Sequence, residues 1–411
     1  MLERIQCARG RVVGGMKILW AKSDFLHPAT KGGHIRTLET LKRLHRRHEI
    51  HYVALDLPEQ QGGVERSSEY CTKAYPIPHR VPRRSTPKFW LQASAGLFSR
   101  LPLSVSRYRS DAMNRQIEAL TRSERFDAIV CDFLFAAPNM PDLSTCVLFQ
   151  HNVEAHIWKR HVEHAASPFH RSYFRGQYQR MQRYEGQVCR AVKRIIAVSE
   201  DDAAAMRSEY GAARVAAVPT GVDLDYFAPP PDPEPERASN LVFLGSMDWM
   251  PNIDGIQWFT SKVLPLIRKR RAACSITIAG RRPTVLLRRL AEKDPLIQVT
   301  GTVPDVRPYL WNSDIAIVPL RIAGGTRLKI YEAMAARVPV VSTTIGAEGL
   351  SIRNSEHILI ADSPQDFADA CLALLDDAAA RRRITTAAWD MVSACYSWDI
   401  VSRKFEQLLT G

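Results

Sequence analysis

Residues 314–342 read DIAIVPLRIAGGTRLKIYEAMAARVPVVS. The apolar run Asp314–Pro319 predicts a strand. A Gly pair then turns the chain, 327–336 has a helix-forming composition, and 338–342 predicts a second apolar strand. Strand, helix and strand, with the strands apolar on both faces, is the repeating unit of a parallel α/β sheet. The pattern extends toward the N-terminus. Strands are expected at Leu241–Leu244, Ser275–Ala279 and Ile297–Val299, with helices at Asn252–Ile267 and Thr284–Ala291 between them. Helices follow at 364–376 and 378–395, and a terminal helix carries Trp398.

The first half shows the same alternation. Strands are predicted at Lys17–Ala21, His51–Leu55, Ala128–Cys131, Thr145–Phe149 and Arg194–Val198. Ile35, Leu38, Leu41 and Leu44 recur at helical spacing, and further helices are expected over 107–121 and 173–191. Between the halves lies FAPPPDPEPERAS (227–239), a Pro-rich stretch that no packed helix or strand tolerates. The expected organisation is an N-terminal extension at 1–15, a first domain at 16–228 and a linker at 229–240. A second domain at 241–395 and a terminal helix at 396–411, packing back toward the first domain, complete it. Two doubly wound α/β domains facing across a cleft would hold a ligand at the strand C-termini.

The 411 residues suit two domains of roughly 200 residues each. With 45% hydrophobic and 24% charged residues, the chain is not intrinsically disordered. The net charge of +13 favours an anionic partner: a phosphate-bearing ligand, a polyanion or a membrane face. The eight Cys form no CxxC pair and read as free thiols of a reducing compartment. The first fifteen residues contain charges and no apolar core of a secretory signal, and no stretch is long enough to span a bilayer. A cytoplasmic protein is expected, peripheral on the inner face of the plasma membrane.

Several positions could carry chemistry. Gly324, Gly325 and Thr326 lie where a strand passes into a helix, a turn whose free amides favour an anion. Lys329 and Glu332 follow at helical spacing, so a cation for phosphate and a carboxylate for a diol would share one face. An ordinary Lys–Glu helix pair is the bland alternative. Gly32 and Gly33 precede the first helix and are not GxGxxG, so no dinucleotide fingerprint is present. They form either a phosphate or acceptor loop, with Arg36 nearby, or a plain strand-to-helix turn. His151 and Asn152 end a strand. His151, Glu154 and His156 do not have the HExxH spacing, so a sugar contact or a helix cap fits better than a metal. Gly245 and Arg281 follow strands of the second half. Two basic stretches contain aromatics: His79–Leu91, and 159–194 with Tyr173, Phe174 and Tyr178. Each suits anionic lipid, nucleic acid or a solvated face.

Taken in order, these motifs resemble glycosyltransferase family 4, retaining enzymes with the glycosyltransferase B fold of two Rossmann-like domains. The resemblance covers residues 16–409. Its strongest part is Gly325, Arg327, Lys329 and Glu332–Ala335, followed by Pro339–Val341, with the Gly pair at 32–33, Val198–Ser199 and the GVD at 221–223 in matching order. HNVE (151–154) and GSMDWMPNIDG (245–255) resemble a bacterial exopolysaccharide branch, some of whose members are associated with exosortase systems.

The resemblance implies a hexosyltransferase that moves a sugar from a UDP- or GDP-sugar to a glycan or lipid-linked acceptor. His151, Lys329 and Arg327 would be catalytic. Gly245, Arg281, Gly324, Gly325, Thr326 and Glu332 would bind the donor, and Gly32, Gly33 and Arg36 the acceptor or phosphate. No cofactor, no metal and no nucleic acid are expected. Two positions depart from the family pattern. The first Glu of its spaced pair would fall at 324, which is Gly, and the loop 246–254 lacks the usual Arg and Lys. Arg327, Lys329 and Arg281 must then supply the positive charge. A nucleotide-sugar epimerase and a non-catalytic polysaccharide- or nucleic-acid-binding protein are the competing readings.

Overall fold

The computed structural model describes residues 5–6, 14–29, 32–58, 62–81, 101–163, 165, 167–230, 239–322 and 327–410. The chain divides into two compact units, one comprising the residues up to Pro219 and those from Val401 onward, the other Thr220–Ile400.

In the first unit the strands are β1 (Ile5–Gln6), β2 (Lys17–Lys22), β3 (Glu49–Asp56), β4 (Lys73–Pro78), β5 (Ala128–Asp132), β6 (Cys146–Gln150), β7 (Arg194–Ala197) and β8 (Val215–Ala217). Its longer helices are α1 (Gly32–Leu44), α2 (Asp111–Ser123), α3 (Glu154–Glu163), α4 (Pro168–Ala191) and α5 (Glu200–Tyr210). Among the described residues the sheet order is β1-β4-β3-β2-β5-β6-β7-β8, parallel except for β1 on β4. The strand order reverses direction between β2 and β5, whose last residues, Lys22 and Asp132, pair in register. Such a switch point opens a crevice at the strand C-termini. Leu19, Val53, Cys131 and Leu148 are buried in the core on one face of this sheet.

The second unit contains β9 (Asn240–Leu244), β10 (Ser275–Ala279), β11 (Ile297–Gly301), β12 (Ile315–Val318), β13 (Val340–Ser342) and β14 (Leu359–Ile360). The order β11-β10-β9-β12-β13-β14 is parallel and doubly wound, with its switch point between β9 and β12. Its longer helices are α6 (Met250–Trp258), α7 (Val285–Lys293), α8 (Leu328–Ala335), α9 (Pro364–Asp376) and α10 (Ala378–Cys395). The last helix, α11 (Trp398–Thr410), begins in this unit and ends in the first, where Phe405 stacks on Trp20 at 5.6 Å.

The structure departs from the sequence reading in five places. The division falls at Pro219 and not at the Pro-rich run, because Phe227 is buried in the second core and its carbonyl accepts from Trp311 Nε1 at 3.0 Å. The interior of the linker lies outside the described residues. The segment before Met16 is not wholly an extension: Ile5 and Gln6 pair with Ala74 and Lys73. β4 was not expected, because Pro76 and Pro78 obscure it. Both prolines lie beyond the β1 pairing, on a strand edge with no further partner among the described residues, where a missing N–H costs little. The helix expected over 252–267 has a π-helical turn at Phe259–Val263 just before Pro265, which cannot donate to the preceding turn. Finally, α8 starts at Leu328, because Arg327 has a non-helical backbone (φ −85°, ψ 46°).

Candidate functional site

Each switch point carries a polar cluster. In the first unit, β2 ends in Lys22, β5 in Asp132, and β6 is followed by His151. Asp132 is fully buried and accepts from Trp20 Nε1 (2.9 Å), Lys22 Nζ (2.8 Å), Thr37 Oγ1 (2.7 Å) and His151 Nε2 (2.7 Å). Burial alone would raise this carboxyl, but Lys22 and His151 hold it well below the usual carboxylate range. An ionised Asp132 therefore fixes the His151 tautomer with the proton on Nε2. Nδ1 becomes an acceptor and meets Arg36 Nη1 at 2.9 Å. Burial draws the Arg36 guanidinium down to about 10, opposed by Asp202 and Asp132.

The structure brings the predicted residues His151, Gly33 and Arg36 together. A Cβ built on Gly33 would lie 3.7 Å from His151 Nδ1, whereas one on Gly32 would meet open space. The first turn of α1 is thus approachable from outside beside a buried cation and a neutral imidazole. Both His151 ring nitrogens are occupied, so the ring can meet a sugar only by exchanging its Arg36 contact. Lys22, Thr37 and Asp132 were missed by sequence reasoning. The available signal was a charged residue closing each of two apolar strands, KILWAK and AIVCD.

Burial pulls the His151 imidazole down to about 4, with Asp132 opposing and Lys22 and Arg36 assisting. A histidine held neutral in the folded state is protonated first in the unfolded chain. Its contribution to stability is therefore complete above about pH 6.5 and is lost as pH falls toward 4. The full effect is about 3 kcal/mol. His151→Gln is expected to flatten the slope of unfolding free energy between those pH values. An unchanged slope would place the titrating group elsewhere.

The residues after His151 are held by a second buried carboxylate. Glu185, on α4, accepts from the backbone amides of Glu154 and Ala155 and from Gln150 Nε2 and Tyr210 Oη, each at 2.9 Å. It caps α3 and fixes the turn that carries His151. Glu154 is buried nearby, and burial raises its carboxyl to about 7, with Glu185 adding to the rise. His156 instead pairs with Glu209 at 2.7 Å. Among the described residues no three His, Cys, Asp or Glu side chains could share a metal ion. Ser199, of the Val198–Ser199 element, caps α5.

The second unit assembles its cluster around Gly245, at the end of β9. Lys329 Nζ donates to Asn252 Oδ1 at 3.0 Å, and Asn252 Nδ2 donates to the Ser246 carbonyl at 2.8 Å. A Cβ on Gly245 would lie 2.8 Å from Lys329 Nζ and 2.7 Å from Asn252 Nδ2, so a side chain there would displace both. Lys329 Nζ also lies 4.3 Å from the Phe243 ring centroid. Arg281 Nε donates to Ser246 Oγ at 2.8 Å, and Arg282 pairs with Asp248 at 3.0 Å. Gly245, Arg281 and Lys329 are thus gathered at one strand-end loop, with Asn252 as the link.

Arg327 Nη2 donates to the Ile345 carbonyl (3.2 Å) and to Glu348 (3.0 Å). Gly324, Gly325 and Thr326 lie outside the described residues. Lys329 and Glu332 keep partial exposure, yet desolvation dominates both. It lowers the Lys329 ammonium to about 7, opposed by Glu332 and assisted by Arg327. It raises the Glu332 carboxyl to about 7, opposed by Lys329. A cation this poorly solvated gains from an arriving anion.

Comparison with known proteins agrees with this architecture. Residues 30–226 match glycosyltransferase family 4, and residues 238–377 match the glycosyl transferases group 1. An uncharacterized 44.6 kDa protein in the cps region of Klebsiella pneumoniae is 27% identical over 136 residues, 31% of this chain and 35% of that one. A GDP-mannose-dependent α-(1-6)-phosphatidylinositol monomannoside mannosyltransferase of Mycobacterium tuberculosis is 27% identical over 219 residues, 49% of this chain and 57% of its own. The chain thus spans between 35% and 57% of the length of these curated relatives. Anabaena HepE, solved in complex with UDP and glucose, superposes with a TM-score of 0.62 at 11% identity, covering 96% of this chain and 100% of that one. The two Rossmann-like units make up a GT-B-like fold, the first similar to glycosyltransferase family 4 and the second to the glycosyl transferases group 1.

Proposed function

We propose that this glycosyltransferase-like chain transfers a sugar from a nucleoside-diphosphate sugar to a hydroxyl acceptor, with retention at the anomeric carbon. The observation that carries the reading is the cradle of Gly245, Asn252 and Lys329 at the second switch point, where a desolvated ammonium stands beside a backbone without a side chain. On this reading Lys329 and Arg281 receive the donor diphosphate, and Glu332 accepts from the ribose hydroxyls. The bond between the anomeric carbon and the phosphate oxygen breaks. The acceptor oxygen bonds to the same face of that carbon, and its proton passes to the departing phosphate. Charge growing on the diphosphate strengthens its contact with Lys329, which lowers the barrier. A sugar hydroxyl that replaces Arg36 at His151 Nδ1 would be oriented by a ring that Asp132 keeps in one tautomer.

Support for a nucleotide-sugar donor comes from HepE, solved with UDP and glucose, and from the GDP-mannose-dependent relative. The UDP bound by the one and the GDP-mannose dependence of the other favour uracil or guanine as the base. The cps-region relative and the HNVE resemblance support a place in exopolysaccharide or cell-envelope glycan synthesis; the exosortase-associated branch rests on the sequence resemblance alone. Turnover of UDP- and GDP-sugars, with the anomeric configuration of the product assigned by NMR, tests the reading. An interconverted nucleotide sugar formed without acceptor would instead identify an epimerase.

Because Lys329 and Arg281 supply the positive charge, activity is expected to survive EDTA. Loss of activity in EDTA, with recovery on adding Mg²⁺, would contradict this assignment of charge.

A further inference from the structure

The basic stretch at 79–91 in the first unit lies mostly outside the described residues. In the second unit, Asn252 lies in the first turn of α6 and is only 3% exposed. Both ends of its amide are used. Nδ2 donates to the Ser246 carbonyl at 2.8 Å and pins the loop after β9, while Oδ1 accepts from Lys329 Nζ at 3.0 Å. Among the described residues this is the one hydrogen bond of the ammonium, and no carboxylate forms an ion pair with it. Its other neighbours are the Phe243 ring and the bare backbone of Gly245. The loop 246–254 holds two acids and no Lys or Arg, and each acid already has a cation: Asp248 pairs with Arg282, and Asp254 with Arg321. Arg281 bonds to Ser246. Glu332 and Arg327 act on the ammonium through space, in opposite senses.

We propose that Asn252 is the positioning residue of this site: it aims the Lys329 ammonium beside the Gly245 backbone and leaves its charge uncancelled for a diphosphate, an inference that rests on the donor reading of the cradle. The residue type matters. An aspartate has the same reach, but its carboxylate would bind the ammonium as a charge-assisted pair and neutralise it before any ligand arrives. The amide oxygen is neutral. It holds the ammonium in place, and a phosphate oxygen, carrying charge, makes the stronger acceptor and can replace it. Because Asn252 also fixes the Ser246 carbonyl, the ammonium on α8 and the loop after β9 are held to each other through one side chain.

The test compares Asn252→Ala with Asn252→Asp in the full chain. Neither Ala nor an ionised Asp can donate to the Ser246 carbonyl, so both lose the loop contact and they differ in what faces Lys329. The Lys329 side chain is titrated without nucleotide, by NMR of its ¹³C-labelled Cε, identified by its absence in Lys329→Ala. Asn252→Ala removes the acceptor and should lower the titration midpoint by about one pH unit. Asn252→Asp should raise it by about one to three. At about pH 6, Asn252→Asp should also bind UDP or GDP about tenfold or more weakly than the wild type, since its carboxylate competes with the diphosphate. Midpoints that move in the same direction in both variants, or do not move, would make Asn252 a loop support and overturn the proposal. Should the Ala variant not fold, a midpoint in Asn252→Asp at or below the wild-type value would do the same, and so would undiminished nucleotide binding by that variant. Opposite shifts in a chain whose wild type binds neither nucleotide would support the hold of Asn252 on Lys329 and overturn the donor reading instead.

Discussion

Asp132→Ala is expected to destabilise the first unit by about 3–5 kcal/mol, the usual cost of leaving one partner of a buried ion pair alone. Lys22 would lose its carboxylate while its side chain remains only 5% exposed. Trp20 Nε1, Thr37 Oγ1 and His151 Nε2 would each lose an acceptor. For a unit of this size the melting temperature should fall by about 10 °C. Trp20 donates to the deleted carboxylate, so its fluorescence follows the transition directly. Asp132→Asn keeps one acceptor but turns an amide N–H toward a donor, and should lose somewhat less. A change below about 1 kcal/mol for the Ala variant would mean that water enters and solvates Lys22, and that the cluster is not a closed network.

The cluster illustrates which parts of the protein were legible in the sequence. Strands such as Lys17–Lys22 and Ala128–Asp132 declare themselves by unbroken apolar runs, and the Gly pairs mark the turns that follow them. Lys329 and Glu332 could be proposed because helical spacing puts them on one face. The pairing of Lys22 with Asp132 could not, since 110 residues separate them and only the sheet order makes them neighbours. Glu185 was hidden for a related reason: on α4 it reads as one more charged helical residue, and its role as a cap to α3 exists only once the two helices pack. The engagement of Arg327 with Glu348 likewise depends on a loop beyond β13. Spacing gave the face of a helix, but not which partner would meet it.

Lys329→Ala is expected to lower kcat by about 10²–10³-fold, the usual effect of losing one preorganised group that stabilises developing negative charge. Donor affinity should fall less, because the contact strengthens as the diphosphate leaves. Folding should be little affected: the ammonium's described contacts are one amide oxygen and one ring face, and its desolvation already opposes the charge. Glu332→Ala should behave differently. A ribose contact is equally present in ground and transition states, so its loss should chiefly raise KM.

The pH dependence follows from the same geometry. With the Lys329 ammonium lowered to about 7, the free protein loses this cation as pH rises through that value, and kcat/KM should decline on the alkaline side. Lys329→Arg retains its charge and should move that decline to higher pH, even though its fork fits the Asn252 contact less well. Near-normal kcat in Lys329→Ala would transfer the charge-stabilising role to Arg281 or Arg327.

All of these kinetic expectations depend on one claim, that the cradle around Gly245 and Lys329 binds a nucleoside diphosphate. Isothermal titration of the wild-type chain with UDP, GDP and ADP tests it most directly. Saturable binding of one of the three at a single site, weakened in both Lys329→Ala and Glu332→Ala, is the predicted result. No binding of any of the three to a folded chain, or binding that both substitutions leave unchanged, would contradict it.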